Sequence, residues 1–150
     1  MTDVIKSIWI DAPPEIVFDY FIDADKTARW CGQGAELDPV PRGIYRLDMG
    51  EAGVIEGRFV RVEAPTFVSI AIDGPSGSDV PPSVLEVSIA PEAGGSRVDV
   101  RHSGLESPFS LMAGRGLDHH LARLSVAVTG GSPGSDPLCR RRMDTLLEQE

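Results

Sequence analysis

Side chains able to carry acid–base, nucleophilic or metal chemistry are sparse in this 150-residue chain, which has three histidines, two cysteines and scattered carboxylates. An imidazole titrates near neutral pH, so His102 is a candidate general acid or base. The alternative is a polar anchor bonded to backbone or to a nearby hydroxyl, the commoner fate of a buried polar group. His119 and His120 are adjacent, and helical neighbours diverge by about 100°, so they cannot grip one ion together. The HxxxH and paired-cysteine spacings of zinc sites are missing as well, so no metal is expected. Cys31 follows Trp30 at an expected helix end, where the carbonyl dipole disfavours a thiolate, which argues against a nucleophile. Cys139 is far from Cys31 in sequence, and no disulfide framework is indicated. Glu56 and Glu86 sit mid-strand and form a carboxylate pair only if both face inward; solvated strand faces usually look the same.

Trp30, Tyr45, Phe59 and Phe67 are the aromatic candidates, because rigid rings with a polar handle give a ligand both area and orientation. Each one alone reads equally well as core. The glycines near 74–77 and 94–95 lack the following helix and lysine that a phosphate loop needs, so no nucleotide cofactor is expected. The run Arg140-Arg141-Arg142 is basic but is surrounded by Asp136, Asp144, Glu148 and Glu150. A formal charge of −9, from 14 Lys and Arg against 23 Asp and Glu, argues against nucleic acid or anionic lipid as a partner. No segment approaches the roughly 18 apolar residues of a membrane span, and the N-terminus lacks the order of a signal peptide, so a cytoplasmic protein is expected.

The elements that must position these groups are legible from periodicity. Residues 3–10 alternate loosely and stop at Asp11-Ala12-Pro13-Pro14, which predicts an opening strand followed by a helix with Asp11 as its N-cap. Ile16, Val17, Tyr20 and Phe21 give that helix one apolar face, and a second short helix is expected over 24–30, broken by Gly32 and Gly34. Strands are predicted at 43–49, 54–62, 66–72, 83–90 and 97–103, an antiparallel meander with one covered face. In the first of these Tyr45, Leu47 and Met49 share a face, and in the last His102 falls on the covered side with Val98 and Val100. After a loop holding Pro108, Gly114 and Gly116, the segment 116–131 predicts a long helix. Leu117, Leu121, Leu124 and Val128 form its stripe, His120 and Ala127 lie beside them, and Arg123 lies opposite.

The words DAPPEIVFDYF, ARWCGQGAELDPVPRGIYRLDMG, VEAPTFVSIAI, GGSRVDVRHSGL and GLDHHLARL occur in this order over about residues 4–130. Together they resemble the Hsp90-ATPase-activator-homologue branch of the START/Bet v 1-like (SRPBCC) superfamily. The resemblance implies an α+β helix-grip fold in which a curved antiparallel sheet wraps a long C-terminal helix, with two short helices between the first two strands. It places the domain at 1–131 and leaves 132–150 as a tail, either a short helix or disordered. It also implies an apolar cavity between sheet and helices, with Trp30, Tyr45, Leu47, Phe59, Phe67, His102, Leu117, His120 and Leu121 as the ligand-facing set. The expected partner is a small hydrophobic or aromatic molecule. The alternatives are a cyclase- or dehydratase-like enzyme with His102 as its acid or base, and a co-chaperone-like protein-interaction domain, either monomer or homodimer. Many relatives carry two tryptophans where this chain has Trp30-Cys31, Gly-Trp where it has Gly116-Leu117, and Thr-Trp where it has Ser69-Ile70-Ala71. Those smaller side chains predict a roomier cavity.

Overall fold

A computed structural model describes residues 3–74 and 79–134. Its element order is β1 (Val4–Ile10), α1 (Pro14–Ile22), α2 (Ala24–Thr27), β2 (Gly34–Leu37), β3 (Ile44–Asp48), β4 (Val54–Glu63), β5 (Phe67–Asp73), β6 (Ser83–Glu92), β7 (Gly95–Ser103) and α3 (Phe109–Val128). The seven strands form one antiparallel sheet in the order β1-β7-β6-β5-β4-β3-β2. Period-two alternation explains why one face is wet and the other covered. Tyr45 and Leu47 of β3, Phe59 of β4, Val68 and Ile70 of β5, Val87 and Ile89 of β6, and Val98 and Val100 of β7 are all buried. They meet Leu121, Leu124 and Ala127 of α3 and Val17, Phe18 and Phe21 of α1 in a single core. This is the helix-grip arrangement, with the two short helices between the first two strands.

Several local expectations are corrected. Pro13, not Asp11, is the N-cap of α1, and no side chain caps it; Pro14 at the first helical position has no N–H to satisfy. α2 ends at Thr27 rather than 30, and its cap is Asp23, whose carboxylate accepts from the Lys26 N–H at 3.0 Å. Gly32, at φ +84°, ends the segment as expected, but Gly34 opens the short edge strand β2, which the meander reading omitted. α3 begins at Phe109 and runs through Gly114 and Gly116. Gly114 faces β1, where an added Cβ would lie 3.6 Å from Val4. The run of proposed tail residues from 135 onward, including Cys139 and the triple arginine, lies outside the described residues. Among the described residues no helix is long and apolar enough to cross a membrane.

Arg123 is also placed differently from expectation. It is buried rather than opposite the apolar stripe. Its Nε donates to the Trp30 carbonyl at 3.2 Å, while Nη1 and Nη2 donate to the carbonyls of Pro133 and Gly134 at 3.3 and 2.8 Å. Helical geometry puts residue 123 within about 60° of both His120 and Ala127, so it flanks the buried face. A long side chain with several donors is tolerated there because three backbone acceptors meet it.

Candidate ligand cavity

The α1–α2 corner is tied down by one carbonyl. The Tyr20 oxygen accepts from Thr27 Oγ1 at 2.8 Å and from Trp30 Nε1 at 2.9 Å. The Phe21 and Trp30 rings meet edge to face with centroids 5.3 Å apart. That anchoring fixes Trp30 and Cys31 against the end of the sheet. There they border a cavity of about 200 Å³.

Tyr45, Leu47 and Met49 supply one wall, with Ala52 and Ile55 beyond them. Ile72, Leu85 and His102 continue the sheet side, and Phe109, Met112, Ala113, Gly116, Leu117 and His120 of α3 close the other. The lining is overwhelmingly apolar, with a small number of convergent polar atoms, the usual make-up of a small-molecule site. Gly116 contributes empty space, since a Cβ built there meets nothing within 4 Å.

The polar groups differ in how far their bonding is used. His102 Nε2 and Ser83 Oγ lie 2.7 Å apart. Burial holds the His102 imidazole below its ordinary pKa, so the neutral ring dominates at pH 7. His120 Nδ1 donates to the Gly116 carbonyl one turn back at 2.9 Å. Tyr45 is held by Phe59, edge to face with centroids 5.6 Å apart. Burial, with a smaller contribution from Cys31 beside it, pushes the Tyr45 phenol far above its ordinary pKa, so the hydroxyl keeps its proton and is available as a hydrogen-bond donor. Asp73 is exposed at the rim.

Of the nine residues proposed to face a ligand, Trp30, Tyr45, Leu47, His102, Leu117 and His120 border this cavity. Phe59 and Leu121 lie behind it in the core, and Phe67 lies under the Arg61 guanidinium at 4.8 Å, away from it. Cys31 and Leu117, two of the substitutions expected to make room, are on the wall; Ser69-Ile70-Ala71 is not. Glu56 and Glu86 do not pair, because β5 lies between their strands; Glu56 stands opposite Arg46 and Glu86 opposite Arg101. The His119 and His120 rings meet edge to face at 4.9 Å. Among the described residues no three His, Cys, Asp or Glu side chains are grouped to hold a metal. Sequence reasoning missed Ser83, Phe109 and Met112. Ser83 shares the inward parity of Leu85 and Val87 and was recoverable from alternation, whereas the other two were hidden by the loop assigned before Gly116.

The fold and cavity define a START/Bet v 1-like helix-grip protein. Residues 11–129 match the family described as Activator of Hsp90 ATPase homolog 1-like protein, and the chain belongs to that family. No curated protein matches the chain. Among solved structures, a protein from Mesorhizobium loti is similar over 85% of this chain and 97% of its own, with 16% identity and a TM-score of 0.79. CalU16 from Micromonospora echinospora, in its solution structure, is 21% identical over 97% of this chain and 80% of its own, with a TM-score of 0.77. The Aha1 dimer from Colwellia psychrerythraea is 15% identical over 87% of this chain and 98% of its own, with a TM-score of 0.78.

Proposed function

We propose that the protein binds a small, mostly apolar molecule in the cavity between β3–β7 and α3. The observation that carries this reading is an apolar space bordered by Trp30, Leu47, Met112 and Leu117 into which a few polar side chains converge. Burial of apolar area supplies affinity, and the polar groups set orientation. A cyclase- or dehydratase-like reaction would need His102 paired with an acid, and the one hydrogen bond of its imidazole among the described residues is to Ser83. Binding without turnover is therefore the stronger reading. Thermal unfolding against fatty acids, sterols, flavonoids and aromatic polyketides tests it. A ligand at 100 times its Kd adds about 2.7 kcal/mol, raising the midpoint by roughly 5–10 °C for a domain of this size. No shift with any class overturns the reading.

The second reading is a protein-interaction role, as the family description and the dimeric Colwellia neighbour suggest. Ile5 and Trp9, 67% and 44% exposed on edge strand β1, favour it. Light scattering across a concentration series separates a monomer from a homodimer. Loss of a dimer on Ile5→Lys would place the contact on this edge.

A further inference from the structure

Tyr45 is 8% exposed, and among the described residues its hydroxyl has no hydrogen-bond partner. Other buried polar groups are paired: Tyr20 Oη with the Ala127 carbonyl at 3.4 Å, Trp30 Nε1 with the Tyr20 carbonyl, and Ser96 Oγ with the Ala12 carbonyl at 2.6 Å. No fully enclosed side-chain nitrogen or oxygen among the described residues is left without a partner. The Tyr45 hydroxyl is therefore not sealed in the core, and the space it opens on is the cavity its residue borders. A buried donor whose capacity is unused is costly to the fold and is satisfied by whatever polar atom enters.

The ring is also held in place for this task. The Tyr45 and Phe59 rings pack against each other in a T-shape at an interplanar angle of 83°. Directly across the β3–β4 pairing stands Gly57, where no side chain competes with the ring. The donor is thus oriented before a ligand arrives, which lowers the ordering cost of binding.

The charge of the wall is as informative as its donor. No lysine or arginine borders the cavity among the described residues, and the sole carboxylate, Asp73, is exposed at the rim. His102 is held toward its neutral form by burial and is already bonded to Ser83. A carboxylate or phosphate entering here would lose its hydration with no fixed cation to replace it, and the like charge of Asp73 on the border would add repulsion.

We propose that the cavity selects neutral molecules with an apolar, ring-sized body and one accepting oxygen, a hydroxyl or carbonyl to which Tyr45 donates, and discriminates against acids of the same body. This rests on the cavity being a binding site. The three probes are naphthalene, 2-naphthol and 2-naphthoate, which share one ring system and differ at pH 7 in being apolar, neutral with an oxygen, and anionic. Calorimetric titration of the full chain should give 2-naphthol at least tenfold tighter binding than 2-naphthoate. Tyr45→Phe, which removes only the unpaired hydroxyl, should weaken 2-naphthol by about 3- to 10-fold, the net effect of one hydrogen bond, and leave naphthalene within twofold of its original affinity. Equal binding of 2-naphthoate and 2-naphthol by the unmodified protein overturns the proposal without recourse to any variant. So does a Tyr45→Phe variant that binds 2-naphthol unchanged, or that weakens naphthalene as much as 2-naphthol. If none of the three binds, this selectivity falls, whereas the cavity reading itself falls only if the wider panel of fatty acids, sterols, flavonoids and aromatic polyketides also leaves the midpoint unmoved.

Discussion

His102 Nε2 and Ser83 Oγ are joined at 2.7 Å across the β6–β7 edge of the cavity, inside a wall that is mostly apolar. Burial lowers the His102 pKa below its ordinary 6.5. The unfolded chain therefore takes up a proton before the folded one does. The stability associated with the neutral ring is present in full above pH 6.5 and is lost as pH falls from there through the lower folded-state value. Unfolding midpoints measured from pH 7.5 to 5 should decline, and His102→Gln should flatten that decline. Asp99, whose pKa is lowered chiefly by its bond from Ser7, acts in the same direction but below 3.8, outside this range. A variant with an unchanged slope would show that His102 is not the group responsible.

Arg123 connects α3 to the corner that holds Trp30 and to residues 133–134 beyond the helix. Arg123→Met preserves much of the apolar stem but leaves the Trp30 carbonyl without this donor. The expected loss is about 1–3 kcal/mol, the cost of stranding a buried acceptor. At about 2–4 °C per kcal/mol for a chain of this size, a fall of at least 2 °C should be measurable by calorimetry. Arg123→Lys should recover part of it, because one ammonium reaches fewer of the three carbonyls. Equal midpoints for all three proteins would mean that the guanidinium is merely accommodated.

Gly57 is constrained by backbone rather than by conformation. An added Cβ would stand 2.1 Å from the Ala71 carbonyl oxygen of the neighbouring strand. Backbone cannot swing away as a side chain can, so Gly57→Ala must part β4 from β5 or shift their register. The expected cost is about 1–3 kcal/mol, in the range of overpacked sites, and Gly57→Val should exceed it. Gly53, where a Cβ meets nothing within 4 Å but φ is +108°, offers the contrasting case of conformational strain without a clash. Urea unfolding curves that show no loss for Gly57→Ala would refute the close-approach account.

The sheet and its inward face were legible because alternation is a local signal: Tyr45, Leu47 and Met49, or Val98, Val100 and His102, fall on one side by parity alone. Family words supplied the helix-grip closure, which no local period can give. Signals that depend on partners far along the chain were not legible. Arg123 is polar by type and buried by three carbonyls, two of them ten and eleven residues away in a segment with no helical period. Phe59 and Phe67 carry the same ring and lie on neighbouring strands, yet one fills the core and the other lies under Arg61. β2 is four residues long and contains a glycine, too short for its pairing with β3 to announce itself. Gly114 and Gly116 read as breakers, but packing on β1 and the remaining length of α3 outweigh their poor propensity.

That last point yields a paired test of the cavity. Gly116 is helical and its Cβ direction is empty, so Gly116→Ala should stabilise the chain by up to about 1 kcal/mol through helix propensity, raising the midpoint by about 2–4 °C. Leu117→Trp restores the bulk that many relatives carry at this position and directs it into the space Leu117 now borders. An indole there should occupy the volume a ligand would use. The expected result is a protein whose midpoint does not fall but which no longer responds to 2-naphthol. Retention of the response with the tryptophan in place would mean that the ligand sits elsewhere. A large fall in midpoint would mean that the space was already needed by its neighbours, because overpacking a filled core is destabilising whereas filling a void is not.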